Sequence, residues 1–309
     1  MNKGRVIFRC ITWLIVAMGG VFLFFAAKYL YWDKDDKIQE EQRGAETCQG
    51  YSYVTIEREA VNEGPLILVN NSNNYGFTQL DEMVTVTANK NDCYKVKDNN
   101  QKLNVAVMEP LNSMMKDFTE AKGKTDIIVV SAYRSFEEQE RIYSNKVLEG
   151  DSKALQWVTI PGCSEHHTGY ALDFGLYTSS GDSYNFNGKG IYSYILDNAY
   201  KYGFILRYPE DKTEITSIYY EAWHFRYIGR PHAYIAESNN MCLEEYIEYL
   251  KSFPFEEEHL NAEDFDGTKY EIYYVKAENG QTKVPVPRDR KYYISGNNVD
   301  GFIVTAYMQ

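Results

Sequence analysis

The first strong pattern of apolar positions along this chain is helical. Val107, Leu111, Met114, Met115 and Phe118 recur at steps of three and four residues, which predicts an amphipathic helix with one buried face. Methionines at this spacing are more often part of a core than of a cofactor site. We therefore expect this helix to contribute to the hydrophobic core and not to a catalytic or binding site.

Short apolar runs predict strands on both sides of this helix. Leu66 to Val69 precedes the turn-rich segment from Asn70 to Asn74, and Ile127 to Val130 is a second continuous apolar run. Both runs have the length of strands and are followed by turn or corner residues. The combination of strands and helices predicts an α+β fold.

A strand-to-helix corner follows Val130. Ser135 and Glu138 have the spacing of a capping box, so a helix is expected to begin at Phe136. Arg134 then lies at the corner itself. Such corners commonly carry ligand-contacting groups, although a lone Arg there could equally form a surface salt bridge.

The N-terminus has the pattern of a single membrane span. Lys3, Arg5 and Arg9 precede a run from Cys10 to Ala27 that contains no charged residue, and as a helix this run is about 27 Å long, close to the hydrocarbon thickness of a bilayer. A cleaved signal peptide is the alternative, but the run exceeds the usual apolar region of one. We expect residues 1–32 to be a cytoplasmic flank and membrane anchor, residues 33–50 a polar stalk, and the remainder to lie outside the cell.

The last part of the chain changes to short strands separated by turn signals. A main domain is expected over residues 51–253, and a small β-rich appendage over 254–309. Asn279-Gly280 predicts a hairpin between strands at Tyr270–Val275 and Lys283–Val286. The appendage could bind a glycan or a partner, or pack onto the main domain as a stabilising flap.

Composition narrows the functional classes. The formal net charge is −12 and the pI is near 5.0, which argues against a nucleic-acid partner because phosphate binding needs clustered Lys and Arg. Cys48, Cys93, Cys163 and Cys242 follow the predicted anchor. An even number permits full pairing, with Cys48–Cys93 favoured, but a domain of this size does not need a disulfide to fold.

Candidate metal ligands occur in two segments. His166 and Asp173 can reach one cation if the chain turns at Gly169 and returns as a strand, and Glu221 and His224 supply a second imidazole and a nearby carboxylate. Each residue alone is more often a packing or capping residue. Together, His166, Asp173 and His224 predict a zinc site with an open position for water, which is the catalytic arrangement.

Other potential ligands fit this site less well. His167 and His232 lack partners at useful spacing and are expected at the surface or behind the ligands. Cys163 as a fourth ligand would close the water position. Glu221 and His224 share a face only if the chain between them turns or bulges, because residues three apart in a regular strand do not.

These residues carry a family resemblance. Three segments, Ser131–Arg134, Ser164–Asp173 and Glu221–His224, resemble in order and spacing those of the VanY-type zinc D-alanyl-D-alanine carboxypeptidases. The resemblance covers about residues 60 to 252. It implies a compact α+β domain shared with the Hedgehog amino-terminal domain, and an enzyme that trims D-Ala from peptidoglycan stem peptides.

The resemblance also implies roles. His166, Asp173 and His224 would be the zinc ligands, Glu221 the general base and Arg134 the group that orients substrate. We add Gln139 and Ser164 as secondary substrate contacts. Besides the D,D-carboxypeptidase, which in this family can accompany glycopeptide resistance, an L,D-carboxypeptidase acting on tetrapeptide stems and a non-catalytic zinc-containing cell-wall binding module remain open.

Overall fold

The computed structural model describes residues 50–77, 82–150, 153, 156–178 and 180–308. The predicted anchor and all but the last residue of the predicted stalk lie outside these ranges. Within them, no helix is both long and apolar enough to cross a membrane. From Tyr53 onward the chain forms one compact unit.

The described residues form both strands and helices. The strands are β1 Tyr51–Glu57, β2 Met83–Thr85, β3 Lys95–Val96, β4 Lys102–Asn104, β5 Ile127–Ser131, β6 Ala171–Tyr177, β7 Ser183–Asn185, β8 Phe204–Leu206, β9 His224–Tyr227, β10 Leu260–Glu263, β11 Lys269–Lys276, β12 Gln281–Pro287, β13 Tyr292–Gly296 and β14 Gly301–Tyr307. The α-helices are α1 Val86–Asn89, α2 Val105–Lys122, α3 Phe136–Leu148, α4 Ser193–Asn198, α5 Thr213–Thr216, α6 His232–Ser238 and α7 Leu243–Lys251.

The central sheet has the order β3-β5-β6-β9-β8, and β7 also pairs with β6. Only the β3–β5 pair in it is parallel. The predicted amphipathic helix is α2, and its apolar stripe is buried in the core that it shares with β5, β6 and β9. Asn104 caps the N-terminus of α2 by accepting a hydrogen bond from the Ala106 amide. The predicted strand at residues 127–130 and the helix start at Phe136 are confirmed.

The C-terminal sheet has the order β10-β11-β14-β13. Its buried residues Tyr270, Ile272 and Ile303 join α6 and α7 in a second hydrophobic core. His232, at the start of α6, lies between Tyr246 and Thr305 and contacts both through its ring nitrogens, at 2.7 and 2.9 Å. This part of the chain therefore shares its core with helices of the preceding segment.

The expected strand at residues 66–69 is wrong. The segment is buried but lies outside any strand. The Leu66 amide donates to Ser295 Oγ, and the Leu68 amide donates to Asn297 O. These contacts satisfy buried backbone groups without a ladder, which apolar patterning alone does not reveal.

The predicted hairpin at Asn279-Gly280 is also wrong. The strands on both sides form as β11 and β12, but β12 pairs with β1, whereas β11 lies between β10 and β14. A strand has two edges, and both edges of β11 are taken. The local turn signal was correct in position but did not determine which strands pair.

The cysteines of the described region are free. Cys93 is half-buried, and Cys163 and Cys242 are buried. Cys48, the predicted partner of Cys93, lies outside the described residues.

Candidate metal centre

Strand pairing in the central sheet brings two predicted ligands together. Asp173 of β6 and His224 of β9 are direct cross-strand partners, and such partners have neighbouring side chains on one face. A shift in register between β5 and β6 places Ser131 opposite Asp173. The metal-binding face is therefore at the end of β5, next to the corner that carries Arg134.

A short 3-10 helix, Glu165–Thr168, presents the third predicted ligand, His166. It ends at Gly169, whose φ of +73° is left-handed and strained for residues with a side chain. A Cβ at Gly169 would also lie 2.3 Å from Met83 Cε. The turn at this glycine returns the chain directly into β6, as the sequence predicted.

The three ligand residues converge. His166, Asp173 and His224 each offer an atom within 4.8 Å of the others. His166 Nε2 lies 3.3 Å from Asp173 Oδ2, and His224 Nδ1 lies 3.0 Å from Asp173 Oδ1. All three side chains are largely enclosed, with accessible fractions between 4% and 14%.

The tautomer of His166 suits a metal ligand. Its Nδ1 lies 2.7 Å from Ala132 O, and a carbonyl only accepts, so Nδ1 carries the proton and Nε2 presents its lone pair. Burial lowers the pKa of His166 to about 4. The imidazole is therefore neutral at physiological pH, as a metal ligand must be.

The charges in the cluster favour a cation. Asp173 Oδ1 is buried without a hydrogen-bond partner although His224 Nδ1 is only 3.0 Å away. Burial alone would lower the pKa of His224, but Asp173 and Glu165 raise it to about 9. A bound metal would replace the proton that these carboxylates stabilise. Two imidazoles and one carboxylate are a zinc donor set.

Glu221 lies beside this cluster without being part of it. Its Oε2 is 3.6 Å from His224 Nδ1. The turn that the sequence required is present, because the His224 amide donates to Glu221 O before β9 begins. Burial is the main cause that raises the pKa of Glu221 to about 7, with a contribution from Asp173 and opposition from His224 and Arg134. A carboxylate with a pKa near neutrality suits a general base.

Arg134 borders the cluster on the side of β5. Its guanidinium lies 4.0 Å from Asp173 Oδ2 and is held by hydrogen bonds to Ser131 Oγ and Gln139 Oε1, at 2.9 and 2.7 Å. Gln139 is buried, and its amide also donates to Thr159 O. Gln139 therefore orients Arg134.

The roles of Gln139 and Ser164 in substrate binding stay predictions. Ser164 is buried directly before the 3-10 helix, and the backbone amide of His167 donates to its carbonyl oxygen. Ser164 thus directly precedes the helix that presents His166, and Gln139 contacts Arg134.

The remaining potential ligands lie outside the cluster. The Cys163 thiol contacts Asn74 Oδ1 at 3.0 Å. His167 and His232 are both fully buried, so a surface position is wrong for each. His167 accepts from the Gly162 amide and contacts Arg134 O, and it thereby supports the corner next to the site. Their local sequence gives no sign of these partners.

A buried ionic network behind His224 was not predicted. Glu165 Oε1 accepts hydrogen bonds from Arg207 Nε and Arg226 Nη1, at 2.7 and 2.9 Å. Arg207 also forms a two-bond pair with Glu244. One signal was available in the sequence: Arg226 is two residues after His224 in a strand-like run, and alternation places both on one face.

The α+β sheet and its enclosed His-Asp-His cluster, with a carboxylate and a guanidinium beside it, define a metallopeptidase-type centre. The family model for VanY, D-alanyl-D-alanine carboxypeptidase, matches residues 100–230. A D-alanyl-D-alanine carboxypeptidase of Enterococcus faecium is 35% identical over 92% of this chain and 89% of its own length. The chain belongs to the VanY family of D-alanyl-D-alanine carboxypeptidases.

Two solved structures are also similar. The vancomycin-resistance D,D-dipeptidase VanXYg, in complex with a D-Ala-D-Ala phosphinate analogue, is 33% identical and has a TM-score of 0.75, covering 84% of this chain and 99% of its own. The L,D-carboxypeptidase LdcB is 31% identical with a TM-score of 0.51, covering 59% of this chain and 84% of its own. The predicted α+β peptidase fold is confirmed.

Proposed function

We propose that this chain is a zinc D,D-carboxypeptidase that removes the C-terminal D-Ala from peptidoglycan stem peptides. The observation that carries the proposal is the convergence of His166, Asp173 and His224, with Glu221 and Arg134 next to them. Loss of terminal D-Ala-D-Ala would deplete the target of glycopeptide antibiotics and so contribute to resistance. The similarity to a D-alanyl-D-alanine carboxypeptidase supports the proposed activity. The similarity to a vancomycin-resistance D,D-dipeptidase supports the proposed contribution to resistance.

The chemistry assigns separate tasks to the residues of this chain. Zinc, when bound by His166, Asp173 and His224, would supply a Lewis acid that polarises the scissile carbonyl and acidifies water. Glu221 accepts the proton of the attacking water and then protonates the leaving amine. The enclosed position of Glu221 keeps its carboxylate poorly solvated, which is why its pKa allows it to take up and release a proton near neutrality.

Arg134 gives the site its preference for a free C-terminus. A guanidinium matches a carboxylate with two parallel hydrogen bonds, and Gln139 and Ser131 hold this guanidinium at the edge of the cluster. Both Glu221 and Arg134 are present, which weighs against a zinc-containing binding module without turnover.

The pH dependence of kcat/KM should show an acid limb from Glu221. Protonated Glu221 cannot accept a proton, so activity should fall as the pH is lowered. The limb is expected at or below about pH 7, because a bound cation would lower the pKa of Glu221 from the value of about 7 that it has without one. A pH profile of kcat/KM on a pentapeptide checks this. A limb well above neutrality would contradict it.

Two other specificities have an observation in their favour. The similarity to VanXYg, a D,D-dipeptidase, favours hydrolysis of free D-Ala-D-Ala, and the similarity to LdcB, an L,D-carboxypeptidase, favours tetrapeptide stems. Both would use the same metal centre. A dipeptidase would differ in how much of the peptide the pocket accepts before the scissile bond. An L,D-carboxypeptidase would differ in the configuration of the residue that precedes that bond.

The deciding experiment incubates the purified protein with defined tri-, tetra- and pentapeptide stems and with free D-Ala-D-Ala, and weighs the products. Our proposal expects the pentapeptide to lose one D-Ala. Cleavage confined to the tetrapeptide would establish the L,D activity, and cleavage confined to the dipeptide a dipeptidase. Absence of product from all substrates with zinc bound would favour the binding module.

We also propose that residues 1–32 anchor the protein in the cell membrane with the catalytic part outside. The support is the basic flank and the uncharged run from Cys10 to Ala27. Protease added to intact cells should remove the catalytic part and leave the Lys3–Arg9 flank protected. Full protection of the catalytic part, with degradation only after lysis, would contradict this orientation.

A further inference from the structure

Glu165 is a fully buried carboxylate whose two oxygens face different partners. Oε1 accepts from Arg207 and Arg226, whereas Oε2 is buried without a hydrogen-bond partner. We propose that Glu165 is a positioning residue for the metal: its Oε2 accepts the Nε2 proton of His224 and so aims Nδ1 of that imidazole at the cation. The inference rests on the zinc site of the proposed function.

The geometry of His224 requires such an acceptor. Its Nδ1 faces Asp173 Oδ1 at 3.0 Å, so Nδ1 is the nitrogen that can ligate. The proton of a neutral imidazole then resides on Nε2. That nitrogen is buried and has no hydrogen-bond partner, and Glu165 Oε2 lies 3.6 Å from it. A movement of a few tenths of an ångström would join these two buried groups.

The ring of His166 is oriented in a comparable way. There Nδ1 pairs with Ala132 O at 2.7 Å and leaves Nε2 for the metal. Each imidazole is thus oriented through the nitrogen that does not ligate, one by a carbonyl oxygen and the other by a carboxylate. Such acceptors fix the tautomer and the ring orientation and raise the basicity of the ligand.

The network holds Glu165 in place. Arg226 Nη2 also donates to Pro65 O and Ile67 O. Arg207 donates two hydrogen bonds to Glu244, at 2.7 and 2.9 Å. The carboxylate therefore cannot rotate away from His224 without breaking two charged hydrogen bonds in a buried region.

Both side-chain oxygens of Glu165 must accept hydrogen bonds in this arrangement. One accepts from Arg207 and Arg226, and the other accepts from His224. In Glu165→Gln, an amide oxygen turned toward Arg207 and Arg226 leaves the amide N–H groups facing the Nε2 proton of His224. The opposite orientation places those N–H groups against two guanidiniums. The second orientation loses two charged hydrogen bonds and is therefore disfavoured. The variant should thus withdraw the acceptor from His224 while the space stays filled.

The chain offers a matched control in Glu244. This carboxylate also pairs with Arg207, and with Asn70, but it does not hydrogen-bond with His224. Glu244→Gln therefore removes a comparable charge from the same network while the imidazole keeps its acceptor. A loss of stability common to both variants would reflect the network rather than the metal ligand.

The experiment measures zinc affinity of the purified full-length chain by competition with a chelator, and the visible spectrum after replacement of zinc by Co²⁺. We expect Glu165→Gln to weaken zinc binding by roughly 10- to 100-fold and to alter the Co²⁺ spectrum. Glu244→Gln should retain the affinity and spectrum of the wild type. Thermal unfolding of the metal-free proteins reports the structural cost of each change separately.

Four results would overturn the inference. Unchanged zinc affinity in Glu165→Gln, or equal weakening in both variants, would remove the specific role of Glu165 while the proposed function stands. A wild-type chain that binds no zinc would overturn the proposed function and this inference with it. If Glu165→Gln does not fold, Glu165→Asp takes its place, because it keeps the charge but withdraws the oxygens by one methylene group. Glu165→Asp must then show the same weakening of zinc binding. Wild-type zinc affinity in Glu165→Asp would contradict the inference.

Discussion

Replacement of Glu221 by glutamine should reduce kcat/KM on a pentapeptide stem by a factor of about 100 or more. The amide has nearly the same shape but cannot accept the proton of the attacking water. Zinc content and folding should be retained, since Glu221 lies beside the three-residue ligand cluster rather than within it. Steady-state kinetics, elemental analysis and thermal unfolding of the same preparation check these three expectations.

The control for this variant is Glu214→Gln. Glu214 is an exposed glutamate of α5, so the same chemical change there should leave turnover and zinc content unaltered. Wild-type-like activity in Glu221→Gln would assign the proton transfer to another group. Loss of zinc in that variant would instead make Glu221 a ligand.

Replacement of Arg134 by alanine or lysine should cost about 2 to 4 kcal/mol of transition-state stabilisation on a peptide with a free C-terminal carboxylate. This corresponds to a loss in kcat/KM of roughly 30-fold to 900-fold. Lysine cannot reproduce the two parallel hydrogen bonds of a guanidinium. The loss should therefore appear in both variants, with zinc content unchanged.

A C-terminally amidated peptide identifies what Arg134 recognises. The wild type should strongly prefer the free acid, and Arg134→Ala should lose most of that preference. Arg141→Ala, in an exposed position of α3, should behave as the wild type. If Arg134→Ala slows both peptides equally and the preference persists, Arg134 stabilises the oxyanion and another group reads the terminus.

The ligand residues were predictable because their chemistry is local. His166 and Asp173 are separated by one turn at Gly169, and His224 follows Glu221 by three residues, so residue types and spacing carried most of the information. The turn between Glu221 and His224 was required by the same geometry, and it is present. Local signals likewise predicted α2, α3 and β5.

Features that depend on distant partners were not predictable from one sequence. Glu165 gains its position from Arg207 and Arg226, which come from two other strand regions. The segment at residues 66–69 is held by residues of the C-terminal sheet, and β12 pairs with β1 rather than with its neighbour in sequence. Long-range pairing decides each of these, and apolar periodicity does not report it.

The pairing of Asp173 with His224 has an evolutionary consequence. Because the two ligands are opposite each other in a strand ladder, their separation is set by the register of β6 and β9 and not by the number of residues between them. The intervening chain can therefore gain or lose residues in its loops while the ligands stay in place. A single-residue insertion within β6 or β9 between the ligand and the rest of the ladder would instead turn one ligand to the opposite face. Within the family, length variation should therefore concentrate between these strands and be absent from them.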